Sequence, residues 1–188
     1  MKDILDVWFA DGPDVQRTAW FRRDDAFDDE IRTHFAALLD PARGGALDHW
    51  AETPEGALAL LLVLDQFPRN LYRGSAAAFA SDAHGRTVAR RAVLDRRLDL
   101  RLPPTQRVFL YLPFEHGEDM AAQDLSVALF EGLRDDRRFT SSGGAIDYAW
   151  RHRDVIRRFG RFPHRNAALG RADTPAEARY LAQPGAGF

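Results

Sequence analysis

Apolar residues along the chain recur at spacings of three and four, the period of one face of an α-helix. Alternation of apolar and polar positions, which is typical of strands, is nearly absent. Glycine and proline divide the sequence into pieces of helical length, so the pattern predicts an all-α protein. We expect about nine helices, over residues 2–10, 25–39, 42–51, 54–66, 76–94, 104–112, 118–133, 145–159 and 175–182.

Two of these predicted helices are apolar on more than one side. Leucine and valine surround the axis of helix 54–66, and helix 118–133 carries one apolar face with Leu125 and Leu129 and another with Val127 and Phe130. A helix that is apolar all round is buried in the core. We therefore expect these two helices to form the middle of the fold.

Length and composition limit the class of protein. The 188 residues fit one domain, 1–188, and a net charge of -2 gives no basic field for nucleic acid. The chain has no cysteine, which excludes disulfides, zinc–thiolate sites and iron–sulfur clusters. The longest apolar run, 57–64, is too short to cross a membrane, and the N-terminus has no signal-peptide pattern. We expect a cytoplasmic protein.

Asp65 is a carboxylate at a position where the apolar pattern predicts burial, in the last turn of its predicted helix. The helix dipole disfavours an acid there, so Asp65 needs a cation, and Arg69 and Arg73 follow closely. A buried ion pair that fixes the turn after Pro68 is one interpretation. The other is an arginine held ready for an anionic ligand.

The segment Glu115-His116-Gly117-Glu118-Asp119 places four ionisable side chains at the start of a predicted buried helix. Such a concentration favours perturbed acid–base chemistry, although acids also cap helices. On the 3.6 period, Glu118 lines up with the Leu125 face and is expected to point inward. Glu115, His116 and Glu118 are therefore candidate catalytic residues.

His152 lies at the centre of a predicted apolar face, between Tyr148, Val155, Ile156 and Phe159. A histidine on such a face is either a core residue with its hydrogen bonds satisfied or an acid–base group. The second interpretation gains weight if Glu115, Glu118 or Asp65 lies opposite, because a carboxylate would fix the histidine tautomer.

Two segments repeat one pattern: FPRN at 67–70 and FPHRN at 162–166. Proline ends a helix and asparagine caps the next, so the pattern can be a shared helix exit. It can also supply two arms of one site that binds a carboxylate or phosphate. On that interpretation His164 is catalytic, and the substrate-binding residues are Asp65, Arg69, Asn70, Arg73, Arg165 and Asn166.

Familiar cofactor motifs are missing. The sequence has no glycine-rich phosphate loop, no GxSxG elbow, no HExxH and no Glu-x-x-His pair. We therefore expect no cofactor and no dedicated metal site. A divalent cation at the acidic cluster is the weakest of the interpretations considered.

Four segments together resemble the bacterial DUF924 family: LLLVLDQFPRNLYRG at 60–74, LPFEHGED at 112–119, HRD at 152–154 and RFPHRN at 161–166. The likeness extends from VWF at 7–9 to PGAGF at 184–188, and so covers essentially the whole chain. It implies a one-domain, tetratricopeptide-like helical superhelix and assigns no activity. The consensus of ordinary 34-residue repeats is absent.

Two functions fit these residues. In the first, the arginines orient a small anionic substrate while Glu115 or Glu118 exchanges protons with His116, His152 or His164, as in a cofactor-independent hydrolase or proton-transfer enzyme. In the second, these residues lock helix ends, and the protein is a tetratricopeptide-like scaffold that binds another protein. The oligomeric state and the substrate are not predicted.

Overall fold

The computed structural model describes residues 1–187. Phe188, the last residue of the PGAGF segment, lies outside the described residues. Within them every regular element is helical, which confirms the all-α prediction. The α-helices are α1 Lys2–Trp8, α2 Asp25–Phe35, α3 Leu39–Arg43, α4 Pro54–Leu61, α5 Phe67–Leu71, α6 Asp82–Arg90, α7 Pro104–Glu115, α8 Met120–Glu131, α9 Ala145–Phe159 and α10 Pro175–Leu181.

Short helical turns connect these helices. Two are π turns, Leu62–Gln66 and Arg91–Asp95. The others are 3₁₀ turns at Thr18–Trp20, Ala36–Leu38, Asp48–Glu52, Ala76–Phe79, Leu98–Arg101, Arg137–Phe139 and Pro163–Arg165. No helix in the described part of the chain is long and apolar enough to cross a bilayer.

The described chain divides into two compact units. Unit 1 consists of Met1–Arg73 and Ala77–Pro113, and unit 2 consists of Gly74–Ala76 and the chain from Phe114 onward. A single domain over 1–188 stays a prediction, and the units are described separately below.

Aromatic rings near the N-terminus build much of the core of unit 1. The Trp8 side chain is fully buried, and its ring centroid lies 5.3 Å from that of Phe27, 5.7 Å from Phe67 and 5.5 Å from Phe109. Trp20 stacks on the same indole at 6.1 Å. Because aromatic side chains bury large apolar areas, this cluster fixes α1 against α2, α5 and α7 within the unit.

The predicted helix 54–66 does not end at Gln66; that prediction is wrong. The π turn Leu62–Gln66 follows α4, and α5 continues the helical path through Pro68 to Leu71. Proline has no N–H for the carbonyl four residues earlier, which belongs to Leu64. The Ser81 hydroxyl donates a hydrogen bond to that carbonyl instead, at 2.6 Å, so the helix passes the proline without leaving a buried acceptor unsatisfied.

Other boundaries follow the glycine positions. The predicted helix 42–51 is wrong, because α3 ends at Arg43 and the chain turns at Gly44 and Gly45, where Gly45 has a φ of 80°. Helix 145–159 is confirmed with both ends correct. Gly160 follows it with a φ of 71°, in the left-handed region that favours glycine, and turns the chain toward the next segment.

Helices α8 and α9 pack against each other in unit 2. Arg153 of α9 pairs with Asp124 of α8 at 2.6 Å, and the Trp150 indole donates to Glu131 at 2.8 Å. The residue numbers rise along α8 as they fall along α9, so the two helices are antiparallel.

The chain after α9 is fixed to unit 2 by polar contacts. Thr174 and Glu177 form a capping box at the start of α10, and Arg161 donates two hydrogen bonds to the buried Glu177 carboxylate, at 2.6 and 2.8 Å. These bonds and the Thr174 backbone N–H hold the pKa of Glu177 at about 2. The segment between α9 and α10 is therefore held at both ends.

Candidate functional site

Arg69 in unit 1 is surrounded by carboxylates. Its guanidinium donates to both oxygens of Asp82, at 2.9 and 3.0 Å, and to the backbone carbonyl of Asp65 at 2.8 Å. The Asp65 carboxylate, almost fully buried, lies 3.3 Å away. Burial would lower the pKa of Arg69, but the two carboxylates hold it above its ordinary value.

Arg73 and Asn70 share a second carboxylate of the same unit. Arg73 donates to both oxygens of the buried Asp28, and the Asn70 amide donates to Asp28 at 2.7 Å. Burial would raise the pKa of Asp28, but the bonds from Arg73 and Asn70 lower it below its usual range. In unit 1 the predicted substrate-binding residues thus form ion pairs and hydrogen bonds with aspartates of α2, the π turn and α6.

The segment 115–118 is part of the candidate site of unit 2, and two side chains form hydrogen bonds to its backbone. Gln123 donates from its amide nitrogen to the carbonyls of Glu115, at 2.6 Å, and Gly117, at 2.8 Å. Arg165 donates to the carbonyl of His116 at 3.1 Å. The three successive backbone carbonyls of residues 115 to 117 thus all accept hydrogen bonds from side chains of unit 2, and these bonds fix the backbone that carries Glu115 and His116.

Glu118 connects this segment to the chain after α9. Its carboxylate accepts hydrogen bonds from the backbone N–H of Phe162 at 2.8 Å and from Arg171 at 2.7 and 2.9 Å. Burial would raise the pKa of Glu118, but these bonds lower it overall. Glu118 is therefore ionised near neutral pH and positions Phe162.

Glu115 and His152 form a buried pair. Glu115 Oε1 lies 3.3 Å from His152 Nδ1, and both side chains are less than a tenth exposed. His152 Nδ1 lies 2.8 Å from the carbonyl of Tyr148, so this nitrogen carries the proton and Nε2 carries the lone pair. Burial, together with His116, Arg165 and His164, lowers the pKa of His152 well below its ordinary value. The imidazole is neutral at pH 7.

Further cationic and titratable side chains gather around Phe162. Its ring centroid lies 5.4 Å from His152 and 5.6 Å from His164, and the Arg165 guanidinium lies over the ring at 4.4 Å. The His116 ring lies 6.3 Å from the His152 ring. Unit 2 thus brings two histidines and one arginine around the Phe162 ring, and a third histidine, His116, lies beside His152; all four residues were predicted from sequence.

Asn166 and the C-terminal tail border this group. The Asn166 amide donates to Asp173 at 2.7 Å and accepts from Arg171 at 3.0 Å, which fixes the turn that carries Arg165. Gly187 has a φ of 91°, and a Cβ there would approach His164 Cβ to 3.3 Å. The tail therefore passes directly against His164.

Two buried polar residues of α8, Gln123 and Ser126, were not predicted from the sequence. They lie three residues apart on the face that also buries Val127 and Phe130. Their helical spacing from Val127 and Phe130 was the feature of the sequence from which their burial could have been predicted. Tyr148, predicted on the apolar face of α9 with His152, is instead exposed, and Ala149 takes its place in the core.

Metal ligation finds no support among residues 1–187, where no three histidine, aspartate or glutamate side chains are grouped to hold an ion. The fold and these contacts define an all-helical protein in which a buried carboxylate–histidine pair lies beside further histidines and an arginine.

Residues 4–185 match the family described as bacterial protein of unknown function (DUF924), and the chain belongs to that family. A solved structure described as "Structure of Protein of Unknown Function ATU0120 from Agrobacterium tumefaciens" is similar over 96% of each chain, with 43% sequence identity and a TM-score of 0.85. No curated protein matches the chain.

Proposed function

We propose that the protein binds a small anionic molecule in unit 2 and uses His152 as a general base, as a cofactor-independent proton-transfer enzyme or hydrolase. The observation that carries this proposal is the buried Glu115–His152 pair, with 3.3 Å between Oε1 and Nδ1. A buried carboxylate beside a buried imidazole is costly because both groups lose their hydration. Groups with strongly shifted pKa values concentrate at functional sites.

His152 is prepared to accept a proton. Its lowered pKa keeps it neutral at pH 7, and the Tyr148 carbonyl holds the proton on Nδ1. The proton removed from the substrate would therefore go to Nε2. The imidazolium that forms would be stabilised by Glu115, whose carboxylate is already within 3.3 Å of the ring. The same pair returns the proton to product in the second half of the reaction.

Arg165 supplies the anion-binding group of this proposal. Its guanidinium is ordered by the His116 carbonyl and the Phe162 ring. A planar guanidinium presents paired donors that suit a carboxylate or phosphate. The half-buried His164 ring lies 5.6 Å from Phe162, and the half-buried His116 ring lies 6.3 Å from His152, so both imidazoles add polar groups to this cluster.

A thermal-shift titration with inorganic phosphate and with malonate tests binding. At ten times its dissociation constant, either anion stabilises the protein by about 1.4 kcal/mol, which for a chain of this size is about 3 to 5 °C in Tm. We expect this rise for the wild type and for Arg179→Gln, which removes one exposed arginine of unit 2. We expect Arg165→Gln to abolish it.

The competing scaffold hypothesis gives a different result. If the polar residues only lock helix ends, no anion raises Tm, or it does so equally in Arg165→Gln and Arg179→Gln. His152→Gln would then lower Tm and change nothing else. Under the enzyme hypothesis, His152→Gln keeps the anion-dependent rise and loses turnover of any substrate that the titration identifies.

A further inference from the structure

A groove of about 330 Å³ lies on unit 1, whereas the candidate site described above belongs to unit 2. Its walls come from α1, from the turn that follows α1 and from the first turn of α7. Six residues line it: Leu5, Asp6, Phe9, Ala10, Pro13 and Gln106. Sites for small molecules range from about 300 to 1,000 Å³, so the groove is large enough for a compact ligand.

Contacts within unit 1 fix the walls of this groove. Thr105, next to Gln106 in α7, donates from its backbone N–H to the Asp14 carboxylate at 3.0 Å and from its hydroxyl to the Asp14 carbonyl at 3.1 Å. The Phe9 ring centroid lies 5.4 Å from that of Trp20 and 5.6 Å from that of Phe109. The groove is therefore pre-formed, and binding does not have to order its walls.

Gln106 gives the groove a buried polar group without a partner. Its side chain belongs to a residue that is only 8% exposed, and the amide makes no hydrogen bond to any residue of the described chain. Native proteins rarely leave a buried amide unsatisfied, because the lost hydration is not replaced. Since Gln106 lines the groove, a polar atom of a bound molecule can supply the missing partner.

Asp6 gives the groove a negative charge. It is exposed, and among residues 1–187 it forms no ion pair. Lys2, one helical turn earlier, does not pair with it, and Arg17 pairs with Asp11 instead, at 3.2 Å. No lysine or arginine is among the six lining residues. The charge of the groove is therefore complementary to a cation rather than to an anion.

We propose that this groove binds a small hydroxylated amine with an apolar body. The ammonium group pairs with the Asp6 carboxylate on α1, and the hydroxyl forms a hydrogen bond with the Gln106 amide on α7. The apolar body lies between them against Leu5, Phe9 and Pro13. This inference goes beyond the proposed function, which concerns an anion in unit 2.

An NMR titration of the ¹⁵N-labelled full chain with tyramine at pH 7 and low salt tests this inference. We expect saturable shifts of the α1 amides and of the Gln106 side-chain amide, with a dissociation constant of about 1 mM, as is typical of ligands of this size. Phenethylamine lacks the hydroxyl, and 4-ethylphenol lacks the ammonium. Each should bind about fivefold more weakly than tyramine.

Matched variants assign the two contacts. Asp6→Asn should weaken tyramine binding about fivefold and leave 4-ethylphenol binding unchanged. Asp3→Asn removes an exposed carboxylate of the same helix that does not line the groove, and it should leave both affinities unchanged. Gln106→Met should reduce the affinity for tyramine to that for phenethylamine, because methionine has no amide.

Three results would overturn the inference. The first is a titration without saturable shifts, or with shifts centred on residues away from the groove. The second is an equal loss of affinity in Asp3→Asn and Asp6→Asn, which would show a general attraction of cations to an acidic helix. The third is wild-type affinity for tyramine in Gln106→Met, which would remove the contact with the buried amide.

Discussion

The FPRN segment of unit 1 and the FPHRN segment of unit 2 have nearly the same sequence and opposite surroundings. In unit 1, Arg69 contacts the carboxylates of Asp65 and Asp82. In unit 2, Arg165 contacts a backbone carbonyl and an aromatic ring, and two histidines join it there. The same pattern of residues is built into an ion-pair network in one place and into a histidine-rich cluster in the other.

The difference arises from what the rest of each unit supplies. Unit 1 provides Asp28 from α2 and Asp82 from α6, and each accepts two hydrogen bonds from one arginine. Unit 2 provides an aromatic ring, histidines and two carboxylates: Glu115 lies beside His152, and Glu118 accepts hydrogen bonds from Arg171 and the Phe162 backbone. A short motif therefore does not define a site by itself. The charged and aromatic side chains that the rest of the unit places around the motif define it.

Arg69→Met should have the largest effect on stability. It leaves the buried Asp65 and the neighbouring Asp82 without the guanidinium, and removing one partner of a buried ion pair costs about 3 kcal/mol. Urea denaturation measures the loss. The anion-dependent rise in Tm should survive, because the binding group of the proposal is in unit 2. Loss of that rise, with the protein still folded, would contradict the division of roles between the two segments.

The sequence predicted the regular parts of this fold well. Helix 145–159 was correct at both ends, because Gly143-Gly144 and Gly160 bracket an unbroken 3.6-residue pattern. The predicted helix end at Gln66 was wrong because a proline such as Pro68 normally ends a helix near the residue before it. The Ser81 hydroxyl, seventeen residues away in sequence from Leu64, satisfies the carbonyl that the proline leaves. Such a tertiary contact leaves no mark in the local pattern.

The candidate site was predictable only in part. Burial of His152 followed from its helical face, and its neighbour Glu115 was among the carboxylates named for it. The role of Glu118 was not predictable, because it binds the backbone N–H of Phe162 across 44 residues of chain. Gln123 and Ser126 were missed because the inward face of α8 was assigned from leucines, which are only half buried.

Acidification should destabilise unit 2 through His152. Burial and the neighbouring His116, His164 and Arg165 lower its pKa, while Glu115 faces it from the segment after Pro113. Between the folded pKa and the unfolded value near 6.5, the unfolded chain binds a proton that the native state does not. Above about pH 6.5, His152 therefore does not lower the free energy of unfolding. Below that pH the free energy of unfolding falls, by at most about 1.4 kcal/mol per pH unit.

Denaturation of the wild type, His152→Gln and His49→Gln between pH 7.5 and 5 checks this dependence. His152→Gln should flatten the acid limb, since glutamine does not titrate. His49→Gln, which removes an exposed histidine, should keep it. Equal slopes in all three proteins would mean that His152 is protonated in the native state and would remove the neutral base from the proposal.

Alanine at the two equivalent asparagines should give the smallest effect and the most direct comparison of the segments. Asn70 makes one side-chain bond to Asp28, which Arg73 still holds after the substitution. Asn166 makes two, to Asp173 and from Arg171. With about 1 kcal/mol net for each of these hydrogen bonds, Asn166→Ala should cost about 1 kcal/mol more than Asn70→Ala in urea denaturation.

The additional loss at Asn166 has a structural consequence that Asn70 lacks. Arg171 also donates to Glu118, and Glu118 holds the backbone of Phe162. Releasing Arg171 therefore weakens the contact that positions Phe162. Asn166→Ala combined with Glu118→Gln should cost less than the sum of the two single changes, because both break one network. Additive losses would instead mean that Asn166 stabilises its own turn independently of Glu118.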